Sequence, residues 1–210
     1  VLEAAIHVSG QASAACVAAE LAEAGRAVAL NAHGSRVVCR LLEHAAGEPW
    51  VARLTDALLS AGAASLCCHK FGHQVAMSIV SNGLDRQRAV VLLALRSNSR
   101  RMSKHRYASV VMQDALLQCP PAECDALASE VLAQAGAAVT LACHNYGIQV
   151  VRGLLQVPGA SEQTMQYLCK SQRRLEKDMF GAQLLQELCL GGKFGPACRH
   201  CPMLGMHGGA

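Results

Sequence analysis

The 210-residue chain is 52% hydrophobic, 16% charged and only 3% aromatic, with a formal net charge of +4. Its length suits one or two compact domains or a modest repeat array, and the low charge excludes a disordered chain. Its apolar residues are chiefly Ala, Val, Leu and Cys, which favour packed helices over a β-sandwich. No apolar run approaches the ~20 residues that cross a bilayer. Eleven cysteines at irregular spacing do not form a disulfide framework. They read as small core residues of a reducing compartment.

In chain order, residues 1–24 come first and open on Val1 in place of Met, which reads as the start of a fragment. "VLEAAIH" resembles the end of a repeat and "ASAACVAAELAEAG" the helix that follows one, so this stretch reads as the remnant of a preceding copy. Five similar segments follow, "HGSRVVCRLLEHA" from 33, "FGHQVAMSIVSNG" from 71, "YASVVMQDALLQC" from 107, "YGIQVVRGLLQVP" from 146 and "FGAQLLQELCLGG" from 180. Their starts are 38, 36, 39 and 34 residues apart. Each places a ring residue before Gly or Ala, then two adjacent apolar residues, then two more four positions on. Val37, Val38, Leu41 and Leu42 are one such set, and Val150, Val151, Leu154 and Leu155 another. That spacing makes one broad apolar stripe of a helix.

The intervals carry helices as well, through Trp50, Leu54 and Leu58, through Val90, Val91, Leu93 and Ala94, and through Leu127, Val131 and Leu132. Short segments such as "LCCHKF" and "LACHNY" before the ring–Gly step suit a shorter helix. His69 and His144 within them read as capping or packing residues. Helical units of this size bury their apolar faces only by stacking, so the expected fold is an all-α solenoid over residues 25–192. Residues 193–210, rich in Gly with Pro196 and Pro202, read as a loose tail.

Base is clustered. Arg86, Arg88, Arg96, Arg100, Arg101, Lys104 and Arg106 lie with His105 in a stretch without one acidic residue. Lys170, Arg173, Arg174 and Lys177 form a second group, diluted by Glu176 and Asp178. Such clusters bind phosphate or form a solvated face. "CRHC" sets Cys198 and Cys201 around His200, near Cys189 and His207, but no second close pair completes a structural zinc site. No phosphate loop, GxSxG step or carboxylate pair is present, so neither an enzyme, a small-molecule substrate nor a cofactor is expected.

An aromatic–Gly step, two variable residues, a Val-Val pair and an amide-bearing position resemble the Pumilio, or PUF, repeat. "YGIQVVRGLL", "FGAQLLQELC" and "HRYASVVMQDAL" carry the resemblance most closely. It implies three helices per repeat and a right-handed, curved solenoid whose second helices line the concave face. It also implies one RNA base per repeat, read by two edge residues and one stacking residue. The first copy then offers Ser35 and Cys39 as edge contacts with Arg36 stacking, and the second His73 and Met77 with Gln74. The third offers Ser109 and Gln113 with Val110, the fourth Ile148 and Arg152 with Gln149, and the fifth Ala182 and Gln186 with Gln183.

Ser109 and Gln113 match a familiar adenine-reading pair. Ile148 and Met77 offer no strong directional hydrogen bond, Val110 stacks poorly, and Arg36 is the good stacking plane. The resemblance thus implies single-stranded RNA, an mRNA untranslated region, as partner. Base preference would be blurred, and Arg100, Arg101 and Lys104 would act as phosphate contacts. Such a module would regulate translation or decay in the cytoplasm, with protein partners on the convex face and no membrane. Two alternatives stay open: a helical scaffold that has lost base reading, and a nucleolar ribosome-biogenesis factor that holds structured RNA.

Overall fold

The computed structural model describes residues 26–190. The repeat remnant at 1–24, the tail from 193 and the "CRHC" segment lie outside the described residues. Within them, α1 (Arg26–Ala29), α2 (Gly34–Ala45) and α3 (Pro49–Ser60) form a short–long–long triple. The triple recurs as α4 (Ala63–Cys67), α5 (Gly72–Asn82) and α6 (Asp85–Ser97), then as α7 (Ser99–Met102), α8 (Ala108–Gln118) and α9 (Pro121–Leu132). It recurs again as α10 (Ala137–Ala142), α11 (Gly147–Leu154) and α12 (Pro158–Lys170), and α13 (Gln172–Leu175) with α14 (Met179–Leu190) begins a fifth. No strand occurs among the described residues. The result is an all-α repeat array.

The expected stripe becomes the core. Val75, Ala76, Ile79 and Val80 on α5 are at most 2% exposed, and Val111, Met112, Ala115 and Leu116 on α8 at most 3%. The same positions of α2 and α11, with Leu184, Leu185 and Leu188 of α14, join one continuous cluster. Each copy therefore completes its core with the next, as stacking requires. The row α2, α5, α8, α11 is packed more closely than the outer row α3, α6, α9, α12. Closer packing in one layer bends a stack toward that layer, so the second helices form its inner side.

Local chemistry sets the helix ends. Pro49, Pro121 and Pro158 stand at the first helical positions, where the missing N–H costs nothing. Residues before proline are driven extended, and Val157, at φ −81° and ψ 116°, separates α11 from α12. For this reason α11 stops at Leu154, short of the segment expected from the sequence. The shorter helices also end earlier than expected: α4 stops at Cys67 and leaves His69 to Phe71 in a turn.

The small residue after the ring has a geometric cause. A Cβ on Gly147 would sit 2.7 Å from the carbonyl oxygen of Leu141, six residues earlier on the short helix. Short and long helices thus meet almost backbone to backbone. In the third copy Ala108 stands there, fully buried. On the outer side, Gln87 Nε2 reaches the Ala52 carbonyl at 3.0 Å, and Arg88 Nε donates to Glu123 at 2.9 Å. These bonds tie α6 to α3 and to α9.

Candidate nucleic-acid interface

Each inner helix is entered through the same small device. Phe71 and Gly72 donate their backbone N–H groups to His69 Nδ1 at 3.2 and 3.3 Å. Tyr107 and Ala108 donate to His105 Nδ1 at 3.3 and 3.4 Å, and Tyr146 and Gly147 to His144 Nδ1 at 3.2 Å each. Asn31 Oδ1 serves His33 and Gly34 in the first copy, and Asp178 Oδ1 serves Phe180 and Gly181 in the fifth. Helix starts leave N–H groups without partners, and one acceptor here satisfies two of them. The capping role expected of His69 and His144 is what the geometry gives them. His105, Asn31 and Asp178 share it, although their side chains differ.

Past this entry, the edge and stacking positions face different surroundings. Ser35, Ser109 and Ile148 are buried, at 0%, 0% and 3% exposure, while Ala182 is exposed. His73 is half-buried and stacks on Tyr107 of the next copy, with ring centroids 5.0 Å apart and planes at 26°. Its Nδ1 lies 3.1 Å from the His69 carbonyl oxygen. A carbonyl only accepts, so Nδ1 carries the proton and Nε2 is left as an acceptor. The second edge residues Cys39, Met77, Gln113 and Arg152 are half-buried, and Gln186 is exposed. Of the stacking residues, Arg36, Gln74 and Gln183 are exposed, while Val110 and Gln149 are half-buried. In the first, third and fourth copies surface access therefore falls to the stacking and second edge positions, while His73 and Ala182 keep access of their own.

Ser35 Oγ donates to the Ala32 carbonyl at 3.4 Å, but Ser109 Oγ is buried without a partner. Arg152 is already engaged. Its Nε and Nη2 donate to the two carboxylate oxygens of Glu187 at 2.9 and 2.7 Å, and its Nη1 to Gln149 Oε1 at 3.0 Å. Gln183 Nε2 donates to Glu187 Oε1 at 3.0 Å. This network joins three expected site residues, Gln149, Arg152 and Gln183, through one that sequence reasoning passed over. The Arg152 guanidinium holds the Glu187 carboxyl below its ordinary range.

Glu187 belongs to a pattern. In the second, fourth and fifth copies the residue after the second edge position meets the preceding copy at that copy's own second edge position. Ser78 Oγ donates to the Cys39 carbonyl at 3.4 Å, a Cβ on Gly153 would lie 3.4 Å from Gln113 Cα, and Glu187 binds Arg152. Asp114 holds the same position on α8, with Oδ2 buried and unpartnered, and burial raises its carboxyl above the ordinary value. The signal lay in comparing each copy with its neighbour.

The cysteines behave as small core residues. Cys67, Cys119 and Cys124 are buried, and no disulfide joins the described cysteines. Desolvation pushes Cys67 and Cys119 up to about 12. Among the described residues no cluster of His, Cys, Asp or Glu has the makings of a metal site, and no helix is long and apolar enough to cross a membrane.

Stacked three-helix units with small-residue steps at their inner helices define an α-solenoid. Residues 27–48 and 100–132 match the family model described as Pumilio-family RNA binding repeat. Those two stretches are similar to Pumilio-family repeats. Solved structures agree in fold. The Puf3 RNA binding domain bound to Cox17 RNA 3′ UTR recognition sequence site A superposes with a TM-score of 0.76 at 19% identity, over 88% of this chain and 53% of its own. PUF-8 in complex with PBE-RNA gives 0.67 at 18% identity, over 77% and 47%. The PUM-HD domain of S. pombe Puf1 in complex with RNA gives 0.67 at 17% identity, over 86% and 48%. The chain spans about half the length of these structures. No curated protein matches its sequence.

Proposed function

We propose that the inner helices bind single-stranded RNA with a blurred base preference. The observation that carries this reading is the repeated inner helix. The same three positions recur at the same step of every copy, in repeats of a family whose named structural neighbours are RNA complexes. Arg36 supplies an exposed guanidinium plane, Gln113 an amide with donor and acceptor, and His73 an acceptor nitrogen. Contacts to the sugar–phosphate backbone carry much of the affinity.

The protein acts on mRNA untranslated regions in the cytoplasm, in control of translation or decay. It works by occupying RNA and recruiting protein partners on the outer helices, without catalysis of its own. The test is ultraviolet crosslinking in cells followed by sequencing of the bound RNA. Recovery of untranslated-region fragments supports the reading, and recovery of none above a mock control defeats it.

One observation favours a second reading, a protein scaffold. In the fourth copy Ile148 is buried and the Arg152 fork is taken by Glu187, so little remains there to discriminate a base. The same experiment separates the two, because a scaffold yields no RNA.

A further inference from the structure

Among the described residues, ion pairs involve Arg40, Arg86, Arg88 and Arg152, all on long helices. The densest group of cations without an ion pair lies on the short helices instead. Arg100 and Arg101 are on α7, and Arg173 and Arg174 on α13. Buried Met102 and Leu175 fix their register, each six residues before the small residue, Ala108 or Gly181, that opens the inner helix. Arg100 therefore corresponds to Arg173, Arg101 to Arg174 and Lys104 to Lys177, two copies on.

These cations line clefts. Arg100 and Lys104 share one with the hydroxyls of Ser99, Ser103 and Thr140, where Glu130 is the acidic residue. Arg100, Arg101, Lys104 and His105 line a second with Asn98. Lys170, Arg173 and Arg174 line a third with Ser171 and Gln172. The copy between carries no cation on α10, but it is flanked by both groups: Lys104 acts on His144, and Arg174 acts on Cys143 against the opposing carboxylate of Asp178. Adjacent like charges repel, and helices of four residues bring little dipole to offset that. Hydroxyl and amide donors beside them suit a ligand with regularly spaced anionic oxygens.

We propose that the edge formed by α7, α10 and α13 is a phosphate track for the sugar–phosphate backbone of RNA that extends beyond the inner helices. This rests on the RNA reading above and adds to it a second surface, one that takes no part in base choice. It predicts that affinity grows with RNA length past one nucleotide per inner helix.

The test uses the full chain and a variant carrying Arg100→Glu, Lys104→Glu, Arg173→Glu and Arg174→Glu. Two RNAs are compared, one of about five nucleotides for the inner helices and one extended by roughly ten on each side. The variant should bind the long RNA about tenfold or more weaker, with the log–log salt slope reduced by about 3, near 0.7 per lost contact. The short RNA should bind both proteins alike. An unchanged long-RNA affinity overturns the proposal, and so does equal weakening of both RNAs, which would put the charges on the inner face. Wild-type protein that binds neither RNA overturns the inner-face reading and this proposal with it. Phosphatidylserine–phosphatidylcholine vesicles form a further arm. Vesicle binding lost in the variant while RNA binding stays intact assigns the edge to membranes and overturns the proposal. Far-UV circular dichroism checks the fold, and the same four positions changed to Gln serve if charge reversal unfolds it.

Discussion

Arg152 on α11 and Glu187 on α14 are locked in a two-pronged ion pair, Nε to Oε2 at 2.9 Å and Nη2 to Oε1 at 2.7 Å. The pair crosses from one copy to the next, and both residues are partly exposed, at 26% and 41%. Water screens it, so a double-mutant cycle with Arg152→Ala and Glu187→Gln should give a coupling of only about 0.5–1 kcal/mol. The Glu187 carboxyl is held low by Arg152. Its contribution is therefore present above the ordinary glutamate range and is lost as pH falls through the lowered folded value. A coupling that persisted in strong acid would contradict this account.

The histidine caps make a pH-dependent helix entry. Nδ1 of His105 and of His144 accepts two N–H bonds, and protonation would remove the acceptor. Desolvation lowers His105 and His144, with help from Arg101 and Lys104 respectively. A lowered histidine contributes stability that is full above its unfolded value of about 6.5 and is lost as pH falls from there through the folded value. His144→Asp, which copies the acceptor that Asp178 supplies, should flatten the thermal midpoint between about pH 7 and pH 5. His144→Ala should cost about 0.5–2 kcal/mol at neutral pH, the scale of a lost cap. Thermal melts across pH measure both.

Asp114 carries a buried carboxylate oxygen without a partner, at the position where Ser78 stands in the preceding copy. Burial raises its carboxyl, so the folded state bears a cost above that raised value, and the cost disappears as pH falls through it. Asp114→Ser should therefore stabilise the array at neutral pH by about 1 kcal/mol in urea unfolding. The gain should vanish in acid. A destabilised variant would mean that the carboxylate has a partner on the array after all.

Ser109 and Gln113 form the sharpest test of base reading. Ser109 Oγ makes no hydrogen bond, so Ser109→Ala should leave stability within about 0.5 kcal/mol. Gln113 presents a donor and an acceptor, and Gln113→Glu exchanges the donor for a second acceptor. Preference at one RNA position should then move from adenine toward guanine, by about 1 kcal/mol. Binding competition across the four bases reads it, and an unchanged ranking excludes this pair as a reader.

The repeat was legible because its physics is local and periodic. Val150, Val151, Leu154 and Leu155 announce a buried stripe whatever surrounds them, and five such stripes at similar intervals imply stacking. The burial of Ser35, Ser109 and Ile148 was not legible, because it depends on how deeply each inner helix sits in the array, and spacing within one copy carries no such information. Glu187 was missed for a related reason: it acts on Arg152, 35 residues earlier. The caps were half legible, since His69 and His144 look alike in sequence, whereas Asn31 and Asp178 share only an acceptor atom in the same place.

The bond from Ser78 to Cys39, the close approach of Gly153 to Gln113 and the ion pair from Glu187 to Arg152 make these second edge positions the joint property of two adjacent copies. Transplanting one copy into another array would thus edit two positions: its own, and that of the copy before it. Modules meant to be exchanged should be cut so that an inner helix travels with the first half of its successor. In a family of such chains, the residues that change together should lie about one repeat apart, recording seams where a catalogue of single repeats records none.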